Sequence, residues 1–202
     1  MLSNIIGVFI KLFFLFTPFF VLSMFIAMTR SLSTRERRVV VYKATAAVWI
    51  SSLLIYFGGN WAFGTMGITI DAFRIGTGII LMLSAIELVL GKNKGGELPD
   101  GKHGDITVVP LAIPYTLGPG TIGALLVMGG ENAELAAKME HLAGITVAVV
   151  VLGILLSASV GIERIIGKRG ICILSKITGL VLASIAAQVI FTGIKNFLFK
   201  AS

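Results

Sequence analysis

The chain has 202 residues, 56% apolar and 13% charged, with a formal net charge of +7 and a mean hydropathy of +0.96. Soluble domains carry about 25% charged and about 45–50% apolar residues, so too little polar surface is available to cover a water-soluble globule. A single cysteine, Cys172, excludes an internal disulfide framework and a zinc cluster. The excess of positive charge does not read as a nucleic-acid surface, because most Lys and Arg flank apolar runs and no basic stripe is interleaved with aromatics.

In chain order, the first apolar run is Ile5–Met28. It lacks a basic leader and a small-residue cleavage site, and Lys11 interrupts it, so it reads as a membrane span and not a signal peptide. The further runs are Val39–Phe57, Ile68–Leu90, Ile106–Met128, Ala143–Ile162 and Ile171–Phe199. Crossing a ~30 Å hydrocarbon core takes about 20 apolar residues. The pattern therefore predicts an all-α polytopic membrane protein of six spans, forming one integral membrane domain over residues 1–202. The longest connection, "GKNKGGELPDGKHGD" (Gly91–Asp105), is polar and glycine-rich. It divides the chain into repeat A (about 1–91), a connection (about 92–105) and repeat B (about 106–202).

Lys and Arg accumulate on the cytoplasmic side of membrane proteins. Connection 1–2 and its margin hold Arg30, Arg35, Arg37, Arg38 and Lys43; connection 3–4 holds Lys92, Lys94 and Lys102; connection 5–6 and its margins hold Arg164, Lys168, Arg169 and Lys176. The opposite side holds only Lys138, Lys195 and Lys200, and connection 2–3, "GGNWAFGTMG", holds none. Both termini are therefore expected outside, with the basic connections in the cytoplasm.

Three spans per half give the halves opposite topology. Aligning Gly78 of span 3 with Gly179 of span 6 pairs Ala85 with Ala186 and Glu87 with Gln188. Aligning "LFTPFFVLSM" with "TLGPGTIGAL" pairs Pro18 with Pro119. Inverted repeats with an interrupted helix in each half point to a secondary transporter with its site near the midplane.

The second interruption is the stronger. "AIPYTLGPGTIGALLVM" places Pro114, Gly118, Pro119 and Gly120 inside an apolar span. Pro119 lacks an N–H and clashes with the turn before it, and it pushes Gly118 out of the α region. Helix resuming at about Gly120 or Thr121 would point free N–H groups at the membrane centre, where they suit a carboxylate. An arm ending near Tyr115, Thr116 and Leu117 would offer carbonyls to an ammonium or cation. Thr17, Thr116 and Thr121 add hydroxyls beside Pro18, Phe19, Gly118, Pro119 and Gly120. Together these residues form a candidate binding site for a small zwitterionic solute.

Titratable groups inside spans are functional candidates by default. Asp71 and Arg74 sit three apart on one helix face, as an interfacial anchor or as a gate. Glu87 lies near the cytoplasmic end of the same span, as a functional carboxylate or one that snorkels beside Lys92 and Lys94; Gln188 lies deep in span 6, and Lys11 is in span 1. Asp71, Arg74, Glu87 and Gln188 are the coupling or gating candidates. With Asp71 and Glu87 as the carboxylates available, a proton is preferred over sodium as coupling ion; no cofactor or metal is expected. His103 and His141 do not form a metal-binding pair, and no nucleophile–base arrangement is present, so an enzyme is not expected.

"PYTLGPGTI", "FRIGTGIILMLSAIEL" and a "TPF" break followed by "TRSLSTRERR" resemble, in this order and over essentially the whole chain, the MarC family of integral membrane proteins. The resemblance implies a six-helix, transporter-like protein of the bacterial or archaeal inner membrane, some relatives of which carry small neutral amino acids. The family's first break usually reads Asn-Pro-hydrophobic-Gly with a second proline after it. Here Thr17-Pro18-Phe19-Phe20, with Ser23, makes that break bulkier. The expected function is a secondary transporter of small neutral solutes, with small neutral amino acids first, working by alternating access around the two breaks. A channel or passive pore, or an efflux or accessory membrane protein, is the alternative. The expected partners are the lipid bilayer and the solute, without nucleic acid, and a homo-oligomer is compatible with the pattern.

Overall fold

The computed structural model describes residues 2–91, 107–131 and 134–199, and every regular element among them is helical. In order these are α1 (Leu2–Leu15), α2 (Pro18–Met28), α3 (Thr34–Met66), α4 (Ile70–Leu90), a π-helix (Thr107–Thr116), α5 (Pro119–Gly130), α6 (Leu135–Ser157) and α7 (Ser159–Phe199). The connection at 92–105 lies outside the described residues.

Local chemistry sets most of the boundaries. Ser33 caps α3 reciprocally with Glu36: the Ser33 N–H donates to the carboxylate at 2.8 Å, and the Glu36 N–H donates to the hydroxyl at 3.4 Å. Gly67, at φ 64°, ends α3 in the left-handed region that glycine adopts without a Cβ penalty. The Thr69 hydroxyl then accepts from the Ala72 N–H at 3.2 Å to start α4. Two expected connections are in fact helical. "GGNWAFGTMG" continues α3 to Met66, and the basic segment after span 5 belongs to α7, which is kinked at Gly167 (φ 72°). Neither segment contains proline, and glycine alone weakens a helix by only about 1 kcal/mol.

Four helices are long and apolar enough to cross a membrane: Thr34–Gly59 of α3, and α4, α6 and α7. The α1–α2 pair, bent by 46° at its break, adds a fifth candidate. The expected fourth span is divided between the ten-residue π-helix and the 12-residue α5. The outward surface is apolar, with Leu54, Trp61, Ile165 and Phe191 all largely exposed, as hydrocarbon-facing positions are. This is a multi-pass architecture.

Inside, α4 packs along α7, α3 packs on α5 and the π-helix, and α1 packs on α6. The closest approaches use glycine, which lets helix backbones touch where hydrophobic driving force is absent. A Cβ at Gly129 would overlap the Tyr56 carbonyl, and one at Gly59 would overlap the Leu126 carbonyl. Along the α4–α7 seam, a Cβ at Gly78 would lie 2.5 Å from Ile190 Cγ1 and 3.1 Å from the Ala186 oxygen. One at Gly179 would lie 2.9 Å from Val89 Cγ2 and 3.0 Å from the Ala85 oxygen.

Candidate functional site at the two helix breaks

The first helical rod is interrupted at Phe16–Thr17. Thr17 is the one non-glycine residue at positive φ among the described residues (φ 46°, ψ 56°). A β-branched residue there is strained by about 1–2 kcal/mol. Pro18 begins α2 where its missing N–H costs nothing. The Phe20 and Val21 N–H groups both donate to the Thr17 carbonyl, at 3.0 Å each. Only the Phe19 N–H is left unbonded in that turn. The Thr17 hydroxyl caps nothing.

The second interruption falls at Leu117–Gly118. Helix resumes at Pro119, earlier than the sequence suggests, and Gly120 already lies inside α5. The approaching arm is a π-helix, not an α-helix. Pro110 and Pro114 supply no N–H, and the wider turn lets the Leu117 N–H reach the Ala112 carbonyl at 2.9 Å. Gly118 is extended, with φ −70° and ψ 167°, and no side chain caps the new helix. The first intrahelical donor is Ile122, to the Gly118 carbonyl at 2.9 Å. The Gly120 and Thr121 N–H groups therefore have no helical partner.

The two breaks touch. The Thr121 hydroxyl donates to the Leu15 carbonyl, the last turn of α1, at 2.9 Å. Reciprocally, the Phe20 ring meets Tyr115, in the last turn of the π-helix, edge-on at 5.9 Å and 88°. Between them lies a cavity of about 210 Å³. Thr17 and Phe20 line it from the first break, and Tyr115, Thr116, Gly118, Pro119, Gly120 and Thr121 from the second. Leu81, Ser84, Glu87 and Leu88 of α4 complete one wall, and Leu182 of α7 another.

Thr116 and Thr121 bring their hydroxyls to the cavity wall, but with their protons already engaged. Thr116 donates to the Leu111 carbonyl at 2.9 Å and Thr121 donates to Leu15, so neither proton is free for a solute. A buried hydroxyl in apolar surroundings takes a carbonyl within reach before it waits for a ligand. Their oxygens remain acceptors. Pro18, the first residue of α2, is buried, and Phe19 packs against the core; neither lines the cavity.

The coupling and gating candidates separate. Glu87 lines the junction cavity, whereas Asp71, Arg74 and Gln188 lie on the other side of the breaks. Asp71 and Arg74 pair at 2.6 Å, and the second guanidinium nitrogen binds the Glu131 carboxylate at the end of α5. Asn196 of α7 donates to the same Asp71 oxygen at 3.2 Å. Glu131 and Asn196 escape a sequence reading because each follows an apolar run, where polar residues are ordinary. Ser84, whose hydroxyl returns to the Ile80 carbonyl at 3.1 Å, looks like any helical serine.

Residues 2–198 match the family described as MarC family integral membrane protein. The chain belongs to this family. A UPF0056 membrane protein of Methanocaldococcus jannaschii is 34% identical over 98% of this chain and 98% of its own length. Another, of Aquifex aeolicus, is 32% identical over 94% of this chain and 92% of its own. The inner membrane protein MarC of Salmonella paratyphi A is 28% identical, over 88% and 87%. These names describe membrane proteins and state no substrate. No solved structure matches the chain.

Proposed function

We propose that this MarC family protein is a secondary transporter of small neutral solutes, with small neutral amino acids as the first class. It works by alternating access of two inverted three-span repeats around the paired breaks. The observation that carries the reading is the cavity enclosed by both breaks. Its 210 Å³ is below the roughly 300 Å³ at which drug-sized pockets begin, which suits a solute of a few heavy atoms. Uncapped N–H groups of Gly120 and Thr121 suit a carboxylate, and Glu87 on the α4 wall suits an ammonium group. Since Asp71 is engaged by Arg74 and Asn196, Glu87 is the carboxylate placed to exchange a proton with the cavity.

Pseudo-symmetry in the packing supports the repeat. The Gly78 contact with Ala186 and Ile190 has its counterpart in the Gly179 contact with Ala85 and Val89. All these partners are separated by the interval that relates Pro18 to Pro119. Packing of α4 on α5 is matched by packing of α2 on α7, and α1 on α6 by the π-helix on α3. In this reading the divided fourth region counts as a span, giving six. Both termini lie outside the inner membrane, and the cavity opens toward the basic, cytoplasmic side.

Purified protein in liposomes, given labelled alanine, glycine or serine under an imposed pH or sodium gradient, tests the proposal. Gradient-driven, saturable uptake of at least one is expected; background uptake of all three, with either gradient, would sink the amino-acid reading.

A further inference from the structure

On the Asp71 side of the breaks lie two further cavities. One, of 360 Å³, is lined by Asn4, Lys11, Glu131 and His141 among others. The other, of 120 Å³, is lined by Lys11, Arg74, Glu131 and Gln188 among others. Lys11, Ala124, Val127 and Glu131 form a wall common to both, and no residue of the junction cavity recurs in either.

Lys11 stands on a membrane-embedded helix, yet forms no ion pair or hydrogen bond with the described residues. An ammonium group in that position is costly unless water or a partner meets it. Across the shared cavities stands Glu131, whose carboxylate is held on one side by Arg74 and otherwise faces the open space. Asp71, Arg74 and Glu131 together carry one net negative charge, which Lys11 cancels at a distance. A ligand of net charge would upset that balance beside an ammonium that already stands on a membrane helix without an ion-pair partner among the described residues. A ligand carrying both signs preserves it. Glu140 is turned to Asn4, at 2.9 Å, and lines neither cavity.

We infer that Lys11 and Glu131 bind a small zwitterion in these cavities, its carboxylate against Lys11 and its ammonium against Glu131. This is a second site, separate from the one at the breaks. The site stands on its own geometry; its place as the entry site on a transport path rests on the proposed function.

Radiolabelled glycine bound per chain, measured on the full-length protein in lipid nanodiscs, tests the inference. Wild type is expected to bind two glycines. Lys11→Met loses one, Lys11→Arg keeps both, and Ser84→Phe, which fills the junction cavity, loses the other. Unchanged stoichiometry in Lys11→Met overturns the site. So does a wild type that binds one glycine removed by Ser84→Phe, an outcome that leaves the junction reading standing. One glycine removed by Lys11→Met and spared by Ser84→Phe upholds the Lys11 site and overturns the junction. Acetate or methylammonium displacing the Lys11-dependent glycine as well as alanine does would overturn the zwitterion class. Independently of any variant, glycine must slow modification of Lys11 by a small amine-reactive reagent, read by peptide mass spectrometry; an unprotected Lys11 overturns the site.

Discussion

The two breaks have the same plan and different chemistry. Each stops a helical arm, turns at one residue and restarts with proline at the first helical position. At the first, the turn residue is Thr17, forced to positive φ, and its carbonyl gathers two N–H groups of the next turn. At the second, Gly118 stays extended and leaves the Gly120 and Thr121 donors open. The first break is therefore closed on itself and offers mainly a hydroxyl and an aromatic wall. The second offers main-chain donors. At matched positions, Phe19 and Phe20 in one break stand where Gly120 and Thr121 stand in the other.

Gly120→Leu attacks the open break and should have the largest effect. A Cβ there lies 2.5 Å from Leu81 Cδ2 and 3.4 Å from Leu81 Cα, and Leu81 is only 2% exposed. Overpacking of this kind costs about 1–3 kcal/mol, so thermal stability in detergent should fall as solute binding disappears. Phe19→Leu, the same residue at the matched position of the other break, should retain binding. Equal losses in the two variants would erase the distinction between the breaks.

Thr121→Val comes next. It removes the hydroxyl that joins the breaks and leaves the buried Leu15 carbonyl without that donor. An orphaned buried polar group costs about 1–3 kcal/mol, to be read as a lowered unfolding midpoint. No change in midpoint would mean that the bond between the breaks carries no stability.

Thr17→Gly should have the smallest effect, and the opposite sign. Relief of the left-handed Cβ strain stabilises by about 1 kcal/mol, reduced by the greater freedom of glycine in the unfolded chain. Stability should rise slightly while solute affinity weakens through loss of a cavity hydroxyl. Lower stability would show that Thr17 is not strained.

Both breaks are legible in the sequence because proline acts locally: it removes an N–H and favours the first helical position, where Pro18 and Pro119 stand. What faces the cavity is less legible. Thr116 and Thr121 lie at the break as expected, but their protons go to Leu111 and Leu15, a choice set by which carbonyl the fold brings near. Glu87 and Asp71 look alike as intramembrane carboxylates. Only the fold separates them, one in the cavity and one locked to Arg74 and Asn196. The glycines of "GGNWAFGTMG" suggest a loop, yet Gly59 serves to bring α3 against the backbone of α5. A glycine needed for close packing and a glycine needed for a turn read the same until the neighbour is known.

The central claim, that solute sits between the two breaks, is tested most directly by Ser84→Phe. Ser84 lines the cavity from α4 without belonging to either break, so a phenyl ring there fills the space and leaves both turns intact. Labelled-alanine uptake by liposomes carrying this variant should fall to background while its unfolding midpoint stays at the wild-type value. Wild-type uptake by a normally folded Ser84→Phe protein would contradict the claim and place the solute elsewhere.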